Sequence, residues 1–420
     1  MAKSRTIKTI LCTAAIIGMS FAASCDRVHF SYKTELPHQS APGYAAQYSA
    51  DDKSPAGFQN KRIINISCDE KRYHCGLLDA SERILYDSFL NAFLDFEESV
   101  NVHGFENDRI YYVRSCVLRD FPEIWYIGNG SITEYHKNGS VIDKEYVIEY
   151  LYGIEDIRNM QKEIEANVDR ILESVDPEAA DYEKLVFVYE TIIKNTSYDQ
   201  TVYEIVESDG DDSAVTDSAS VYGVFVKGKA ICEGYSKAAQ YLLGRLGIEC
   251  GFASGTAKKD GVAHAWNFVT LDGEPYFLDL TWGDPVCPDF PGSAVLYDYF
   301  CITTEQLLNT HVPDPAYPLP NCTAKRYEYF AYNELLLKEY SLQAVFDILK
   351  KAFALNKESA CVKFADDKEL YKAIKDLIEN EAIFSLLQRI KEEGIKIDTG
   401  SYFYTLDDCN RILTIYPKFF

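Results

Sequence analysis

The middle of this chain predicts one helix followed, after an intervening segment, by a two-stranded hairpin, and this order constrains the fold more than any other feature. After Cys232, apolar residues recur at steps of three and four, which predicts an amphipathic helix that begins near the cysteine. The runs 262–271 and 276–281 alternate between two faces, and Asp272-Gly273 between them is a strong signal for a tight turn. We therefore expect a helix that begins near Cys232 and, further along the chain, an antiparallel hairpin.

The predicted helix makes Cys232 a candidate nucleophile. A thiol in the first helical turn lies at the positive end of the helix dipole, beside backbone N–H groups that have no partner within the helix. Both features favour the thiolate, and the same N–H groups could bind an oxyanion. Gly228 and Gly234 would let the backbone approach a substrate closely. A single cysteine is more often a buried structural residue, but a helix start with His and Asp downstream favours catalysis.

His264 and Asp279 provide the partners that a catalytic cysteine requires. A two-residue turn pairs His264 with Thr281 and places Asp279 on the same face, one diagonal step away. A four-residue loop would set His264 and Asp279 directly opposite, whereas a three-residue loop without a bulge would separate them onto two faces. A thiol, an imidazole and a carboxylate are the groups needed for covalent attack on an amide carbonyl.

The segments 222–236, 264–267 and 279–285 together resemble the core of the transglutaminase-like superfamily. The resemblance extends from a predicted helix at 181–195 to residues 298–300. It implies an α+β, papain-like fold in which a central helix carrying the cysteine packs on an antiparallel sheet carrying His and Asp. It also implies that Cys232 is the nucleophile, His264 the general base and acid, and Asp279 the orienting carboxylate.

Three aromatic residues are candidates for lining this site. Papain-like enzymes have a side-chain donor upstream of the cysteine that helps bind the oxyanion, and here the sequence offers Tyr222 instead of the usual Gln or Trp. The chain has only three tryptophans, and two of them, Trp266 and Trp282, lie next to the proposed His and Asp. They could shield the site from water, stack on substrate, or simply belong to the core.

The N-terminus predicts export. Three basic residues precede the apolar run 10–23, which is typical of a secretory signal peptide over residues 1–24 and too short for a confident membrane span. The sequence Ala22-Ala23-Ser24-Cys25 resembles a bacterial lipobox, although such a motif usually begins with Leu. We therefore expect lipid attachment at Cys25 and a location on the outer face of the bacterial membrane, with simple secretion as the alternative.

Composition restricts the partners of the mature chain. The formal charge is −23, and removal of the signal peptide with its three cations lowers it to −26. A protein this acidic will not bind nucleic acid or anionic lipid through its own field. Membrane contact is thus expected only through the N-terminal lipid, and the expected partner is a protein or peptide substrate.

The cysteine count argues against a disulfide framework. Of the 12 cysteines, Cys12 and Cys25 belong to the signal region and Cys232 to the site, which leaves an odd number. One or two bridges remain open, for example one involving Cys68 and Cys75.

No metal or cofactor motif is found. The acidic insertion between residues 198 and 222 begins like a calcium loop, with Asp209, Asp211 and Ser213 at the required spacing. Ala214 stands where Gly is needed and Ser220 where a bidentate Glu belongs. We interpret the insertion as a solvated acidic loop that could border the cleft and repel acidic substrates.

The pattern of elements predicts five parts. A tether at 25–75 follows the signal peptide. An N-terminal α+β accessory domain at 76–175 contains helices at 81–97 and up to 175, and strands at 109–117, 124–127 and 141–152. The catalytic domain occupies 176–312. A C-terminal α+β accessory domain at 313–420 begins with a Pro-rich linker or wrap, followed by helices at 341–355 and 368–393 and strands at 360–365, 401–405 and 411–415.

These observations predict an exported cysteine enzyme that forms a thioester with a glutamine side chain or a peptide carbonyl. Transfer of the acyl group to water would give a peptidase or amidohydrolase, and transfer to an amine would give protein crosslinking. We favour hydrolysis, because exported bacterial members of the family that this chain resembles look more like peptidases. A catalytically idle surface-binding module and a structural scaffold are the remaining alternatives.

Overall fold

The computed structural model describes residues 72–138, 140–202, 217–284 and 295–419, and all structural statements below concern these ranges. The predicted signal peptide, Cys25, the tether up to residue 71 and most of the acidic insertion lie outside them. Among the described helices, none combines the length and the apolar character needed to cross a bilayer.

Helices and strands are interspersed along the described chain. The helices are α1 (Tyr73–Gly76), α2 (Ala80–Asp95), α3 (Asn107–Asp120), α4 (Ile154–Leu172), α5 (Asp181–Asn195), α6 (Cys232–Arg245), α7 (Thr304–Leu307), α8 (Tyr329–Tyr332), α9 (Leu342–Ala354), α10 (Asp367–Ile374) and α11 (Ala382–Glu392). The strands are β1 (Ser99–Asn101), β2 (Ser131–Lys137), β3 (Ser140–Val147), β4 (Ser197–Tyr198), β5 (Lys229–Ala230), β6 (Cys250–Ala257), β7 (Ala263–Leu271), β8 (Glu274–Leu278), β9 (Phe300–Ile302), β10 (His311–Pro313), β11 (Leu336–Leu337), β12 (Ala360–Phe364), β13 (Ile397–Asp407) and β14 (Ile412–Phe419).

The central sheet has five antiparallel strands in the order β10-β6-β7-β8-β9. Strands β7 and β8 form the predicted hairpin, and Leu271 pairs with Glu274 across a two-residue turn. Both turn residues have positive φ, 51° at Asp272 and 78° at Gly273, as a tight hairpin turn requires. Of the loop lengths that the sequence left open, the two-residue turn is therefore the one adopted.

Helix α6 packs on this sheet, as the sequence predicted. Its apolar stripe is fully buried at Tyr235, Ala238 and Leu242, and the helix ends just before Gly247, whose φ is 78°. The buried Asn267 of β7 donates hydrogen bonds to the carbonyls of Ser236 (3.0 Å) and Gly251 (3.2 Å). The Asn267 side chain thus links α6 to β6 and β7 and fixes the distance of the first helical turns from the sheet.

Two of the three strands predicted for the N-terminal part are not strands in the structure, whereas β1 and β2 were not predicted. Residues 109–117, predicted as a strand, lie in helix α3, where Ile110, Val113 and Val117 are buried at helical spacing. The β-branched and aromatic residues of this segment suggested a strand, but packing of one face against α2 decides for the helix. Residues 124–127, also predicted as a strand, contain only an isolated bridge between Ile127 and Tyr150. The predicted strand at 141–152 is present but ends at Val147. The predicted helices at 81–97 and up to 175 are present as α2 and α4.

The N-terminal helices share one hydrophobic core with α6. The buried Arg119 of α3 donates to the hydroxyl of Ser254 on β6 (2.7 Å), and Asp120 accepts hydrogen bonds from the backbone N–H groups of His74 (3.1 Å) and Cys75 (2.7 Å). The end of the predicted tether is thus a buried part of the fold, with His74 and Cys75 fully inaccessible. Cys75 is disulfide-bonded, unlike the other cysteines of the described ranges.

The C-terminal part has a hydrophobic core of its own. A four-stranded sheet in the order β11-β12-β14-β13 is covered by α9, α10 and α11, close to the predicted elements. The Pro-rich segment that precedes it turns at Asp314 and packs against the first core. Its Tyr317 is buried beneath the guanidinium of Arg119, whose carbon lies 3.4 Å from the ring centroid. This segment is therefore a packed wrap and not a loose linker.

Candidate active site

Cys232 is the first residue of helix α6 and follows the extended N-cap residue Ile231. Its side chain packs with Phe252 of β6 and Ala265 of β7, so the thiol lies against the strand that carries His264. Only 7% of Cys232 is exposed. The position at a helix start that the sequence predicted is therefore confirmed, and the N–H groups of the first helical turn have no carbonyl acceptor within the helix.

Gly234 serves packing and not the approach of a substrate. A Cβ at this position would lie 2.4 Å from the carbonyl oxygen of Ser218 and 2.9 Å from the Cβ of Ala230. The segment before the cysteine therefore crosses directly over the first turn of α6. Gly228 has a left-handed backbone (φ 63°) and ends the π-helical turn formed by Gly223–Lys227.

His264 and Asp279 are joined in the way that the hairpin predicted. The Nε2 atom of His264 lies 2.7 Å from Oδ2 of Asp279, and both side chains are almost completely buried. Burial alone would raise the pKa of Asp279. His264 and His311 oppose this through charge attraction and hydrogen bonds, and together they lower the pKa below its usual range. Among the described residues, Nδ1 of His264 has no hydrogen-bond partner. This nitrogen is therefore available to take a proton while Nε2 is held by the carboxylate.

Sequence reasoning missed a second imidazole at this carboxylate. The Nε2 atom of His311 lies 3.1 Å from the same Oδ2 of Asp279, and its Nδ1 lies 3.0 Å from Oγ1 of Thr310. The Thr310 hydroxyl can donate to Nδ1, which leaves Nε2–H to donate to the carboxylate. Burial is the main cause that lowers the pKa of His311, although the hydrogen bond to Asp279 opposes it. Burial therefore disfavours the charged form of His311 at this site.

His311 reaches the site because β10 pairs with β6, with His311 opposite Ala257. No local sequence pattern predicts this strand pairing, since β10 has only three residues and ends at Pro313. His311 lies outside the motifs identified in the sequence, which therefore gave no signal for it. Two imidazoles consequently flank one carboxylate, where a triad needs only one.

The two tryptophans predicted to line the site lie in its wall. Trp282 stacks on His264 with ring centroids 5.1 Å apart and lies 4.3 Å from His311. Its backbone N–H donates to Oδ1 of Asp279 (3.1 Å). Trp266 is completely buried and meets His311 edge-on at 4.8 Å. Both residues exclude water from the imidazoles, and Trp282, which is only partly buried, is the one near solvent.

Tyr222 has a different environment. Its ring stacks on Trp125 at 5.8 Å, and its hydroxyl donates to Glu163 of helix α4 (3.2 Å). Both partners belong to the N-terminal part of the chain. A role in oxyanion binding, as the sequence suggested, would require this hydroxyl to leave Glu163.

One turn after Cys232, Tyr235 anchors the helix to the segment that follows the hairpin. Its hydroxyl donates to Oδ2 of Asp284 at 2.5 Å. Burial raises the pKa of Asp284 to about 6, and the hydrogen bond from Tyr235 only partly opposes this rise. Gly283 beside it allows close packing, because a Cβ there would lie 1.9 Å from the hydroxyl oxygen of Tyr189.

Comparison with known proteins relates the site to one family. Residues 169–279, which include Cys232, His264 and Asp279, match the model of the transglutaminase-like superfamily. Among curated proteins, no significant match to the chain was found.

Solved structures give partial matches. A crystal structure of a TGase matches at 16% identity with a TM-score of 0.27, over 41% of this chain and 49% of that one. A candidate cysteine protease from Cytophaga hutchinsonii matches at 12% identity with a TM-score of 0.21, over 37% of this chain and 66% of that one. The chain thus spans about half and about two thirds of these two structures. Residues 169–279 thus carry a transglutaminase-like core.

Proposed function

We propose that this protein is an exported cysteine enzyme that hydrolyses peptide or glutamine amide bonds through Cys232, His264 and Asp279. The observation that carries the proposal is the 2.7 Å contact between His264 Nε2 and Asp279 Oδ2. Nδ1 of His264 has no hydrogen-bond partner among the described residues, and the Cys232 side chain packs against the strand that carries His264.

The thiol of Cys232 transfers its proton to Nδ1 of His264 and attacks the carbonyl carbon of the substrate. Asp279 stabilises the imidazolium that forms, and the backbone N–H groups at the start of α6 stabilise the oxyanion. The imidazolium then protonates the leaving nitrogen, which departs as the thioester forms. Water, deprotonated by the same imidazole, releases the acid and restores the thiol.

Hydrolysis is the simpler of the two outcomes that a thioester allows. Water needs only a path to the thioester, whereas crosslinking also needs a second cleft that holds a lysine and excludes water. The resemblance of the sequence to exported bacterial members of the family, which look more like peptidases than crosslinking enzymes, also favours hydrolysis.

A thiol-directed activity probe on the mature protein tests the nucleophile. The exposed Cys409 would react without any catalytic assistance, so the experiment is best done in a Cys409→Ser background. We expect labelling at neutral pH that disappears in the additional Cys232→Ala variant and is unchanged by Cys250→Ala, which removes a buried thiol of raised pKa. Labelling that persists without Cys232 would contradict the proposal.

The reaction itself is tested with a glutamine-bearing peptide, incubated with and without a primary amine. Mass spectrometry separates the products, since hydrolysis gives a glutamate or a cleaved peptide and transfer gives the amine adduct. Hydrolysis predicts the same product in both incubations. A dominant amine adduct would replace the proposed hydrolase by an acyltransferase.

A further inference from the structure

We infer that His264, Asp279 and His311 form a binding site for a divalent transition-metal ion of the Zn²⁺ class, and that its occupation switches off the triad. The sequence predicted no metal site. The metal-binding part of this inference stands on geometry alone, and only the inhibitory part rests on the proposed function.

The three side chains supply a complete set of donors. Nε2 of His264, Oδ2 of Asp279 and Nε2 of His311 all lie within 4.8 Å of one another. Two imidazole nitrogens and one carboxylate oxygen are a ligand set that Zn²⁺ uses when its fourth position is left to water. Co²⁺ and Ni²⁺ accept the same donors. The side chains of both histidines are 0% exposed and that of Asp279 is 1% exposed, so the three donors are shielded from bulk solvent.

The residues around these donors already orient them. Thr310 Oγ1 lies 3.0 Å from Nδ1 of His311 and would accept its N–H once Nε2 is bound to metal. The backbone N–H of Trp282 holds Oδ1 of Asp279 at 3.1 Å, which leaves Oδ2 for the ion. Outer hydrogen bonds of this kind fix the tautomer and direction of metal ligands.

Only a small adjustment separates the present arrangement from a metal-bound one. The hydrogen-bonded distances from Asp279 Oδ2 are 2.7 Å to His264 and 3.1 Å to His311. Two ligands on a tetrahedral Zn²⁺, each bonded at about 2.0–2.1 Å, lie roughly 3.3 Å apart. The ligands must therefore open by a few tenths of an ångström, while the proton on each Nε2 moves to Nδ1.

Metal occupation is incompatible with catalysis at this site. The ion would take Nε2 of His264 and Oδ2 of Asp279, the two atoms whose hydrogen bond orients the imidazole. Nδ1 of His264 would then carry the proton and could not accept another from the thiol. Trp282 covers both imidazoles, with its ring 5.1 Å from His264 and 4.3 Å from His311, so we expect slow entry of the ion.

Co²⁺ binding to the full-length Cys232→Ala protein tests the site without any need for activity. We expect one Co²⁺ per chain, with the visible absorption of a tetrahedral ion, and displacement by Zn²⁺. The His311→Gln variant should bind at least 10-fold more weakly, because it keeps a donor to Asp279 and loses a ligand. His103→Gln, which alters an exposed histidine, is the matched control and should bind normally.

A second variant keeps the test valid if His311→Gln does not fold. Thr310→Val retains all three ligands and should weaken Co²⁺ binding about 10-fold through the lost outer hydrogen bond. Absence of Co²⁺ binding at millimolar concentration, or equal affinity in His311→Gln and the parent, would overturn the inference. Binding that requires Cys232 would also overturn it, because the ion would then sit on the thiol.

The wild-type enzyme separates this inference from the proposed function. We expect Zn²⁺ to inhibit amide cleavage with a slow onset and chelation to restore it, and His311→Gln to need at least 10-fold more Zn²⁺. A protein that binds Co²⁺ through His311 but cleaves no amide would refute the proposed hydrolysis and leave the metal site standing.

Discussion

Nε2 of His311 lies 3.1 Å from Oδ2 of Asp279, so the carboxylate proposed to orient the catalytic imidazole also holds a second one. The other oxygen, Oδ1, accepts the backbone N–H of Trp282. Three donors, counting His264, therefore fix the carboxylate in one rotamer and stabilise its charged form.

Replacement of His311 by alanine should lower kcat about 10-fold with little change in KM, in buffer that contains a chelator. The variant loses one hydrogen bond to an ionised group, which contributes about 1.5–3 kcal/mol, and gives Asp279 freedom to turn away from His264. His311→Gln should recover most of the rate, because its amide can donate to the same oxygen. Equal rates for the alanine variant and the wild type would show that Asp279 needs only Trp282 and His264. Steady-state kinetics on a glutamine peptide measure both constants.

Replacement of Asp284 by asparagine should stabilise the protein at neutral pH and not at pH 4. The raised pKa of about 6 means that the folded state binds a proton that the unfolded chain releases near pH 4. Stability is therefore lost as the pH rises from about 4 through 6, and the ionised carboxylate costs about 3 kcal/mol above that range. Asparagine carries no charge and still accepts from Tyr235.

Urea unfolding at pH 4 and pH 7.5 measures this difference. The matched control is Asp347→Asn, which alters an exposed aspartate in the middle of α9 and should shift neither value by more than about 0.5 kcal/mol. A stabilisation of Asp284→Asn that is equal at both pH values would disagree with the linkage argument.

Replacement of Gly234 by alanine should destabilise the fold and displace Cys232. The added methyl group would lie 2.4 Å from the carbonyl oxygen of Ser218, which belongs to the backbone and cannot rotate away. Overpacking of this kind costs about 1–3 kcal/mol. Thermal unfolding of Gly234→Ala and of the control Gly400→Ala, whose Cβ would meet only Asp398 Oδ1 at 3.4 Å, provides the comparison. A stable Gly234→Ala protein with normal thiol labelling would mean that the two segments separate easily.

Replacement of Cys25 by serine should convert a lipid-anchored protein into a secreted one. We propose the anchor from the signal sequence and the lipobox-like residues 22–25, which lie outside the described structure. The wild type should fractionate with membranes, and an inhibitor of lipoprotein processing should change its mobility in gel electrophoresis. Unchanged mobility and an unchanged soluble fraction for Cys25→Ser would favour simple secretion.

The secondary-structure predictions that depended on local periodicity agree best with the structure. The helix at Cys232 and the hairpin around Asp272 follow from spacings of 3.6 and 2 residues, which the backbone geometry itself imposes. The C-terminal elements were placed by the same periods.

The segment 109–117 shows where local pattern was insufficient. Its Ile, Tyr and Val residues have a high strand propensity, yet Ile110, Val113 and Val117 also fit a helical stripe. Contacts with α2 settled the choice, because tertiary packing outweighs propensities that differ by less than about 1 kcal/mol per residue.

By itself the sequence determined that a thiol begins a helix and that an imidazole and a carboxylate share one face of the next hairpin. Periodicity and turn chemistry are local, so each can be read from a few neighbouring residues. Only the tertiary structure decided that His311 joins Asp279, since this contact depends on a three-residue strand pairing with β6. Such a pairing is selected by the packing of the whole sheet, and no short run of residues encodes it.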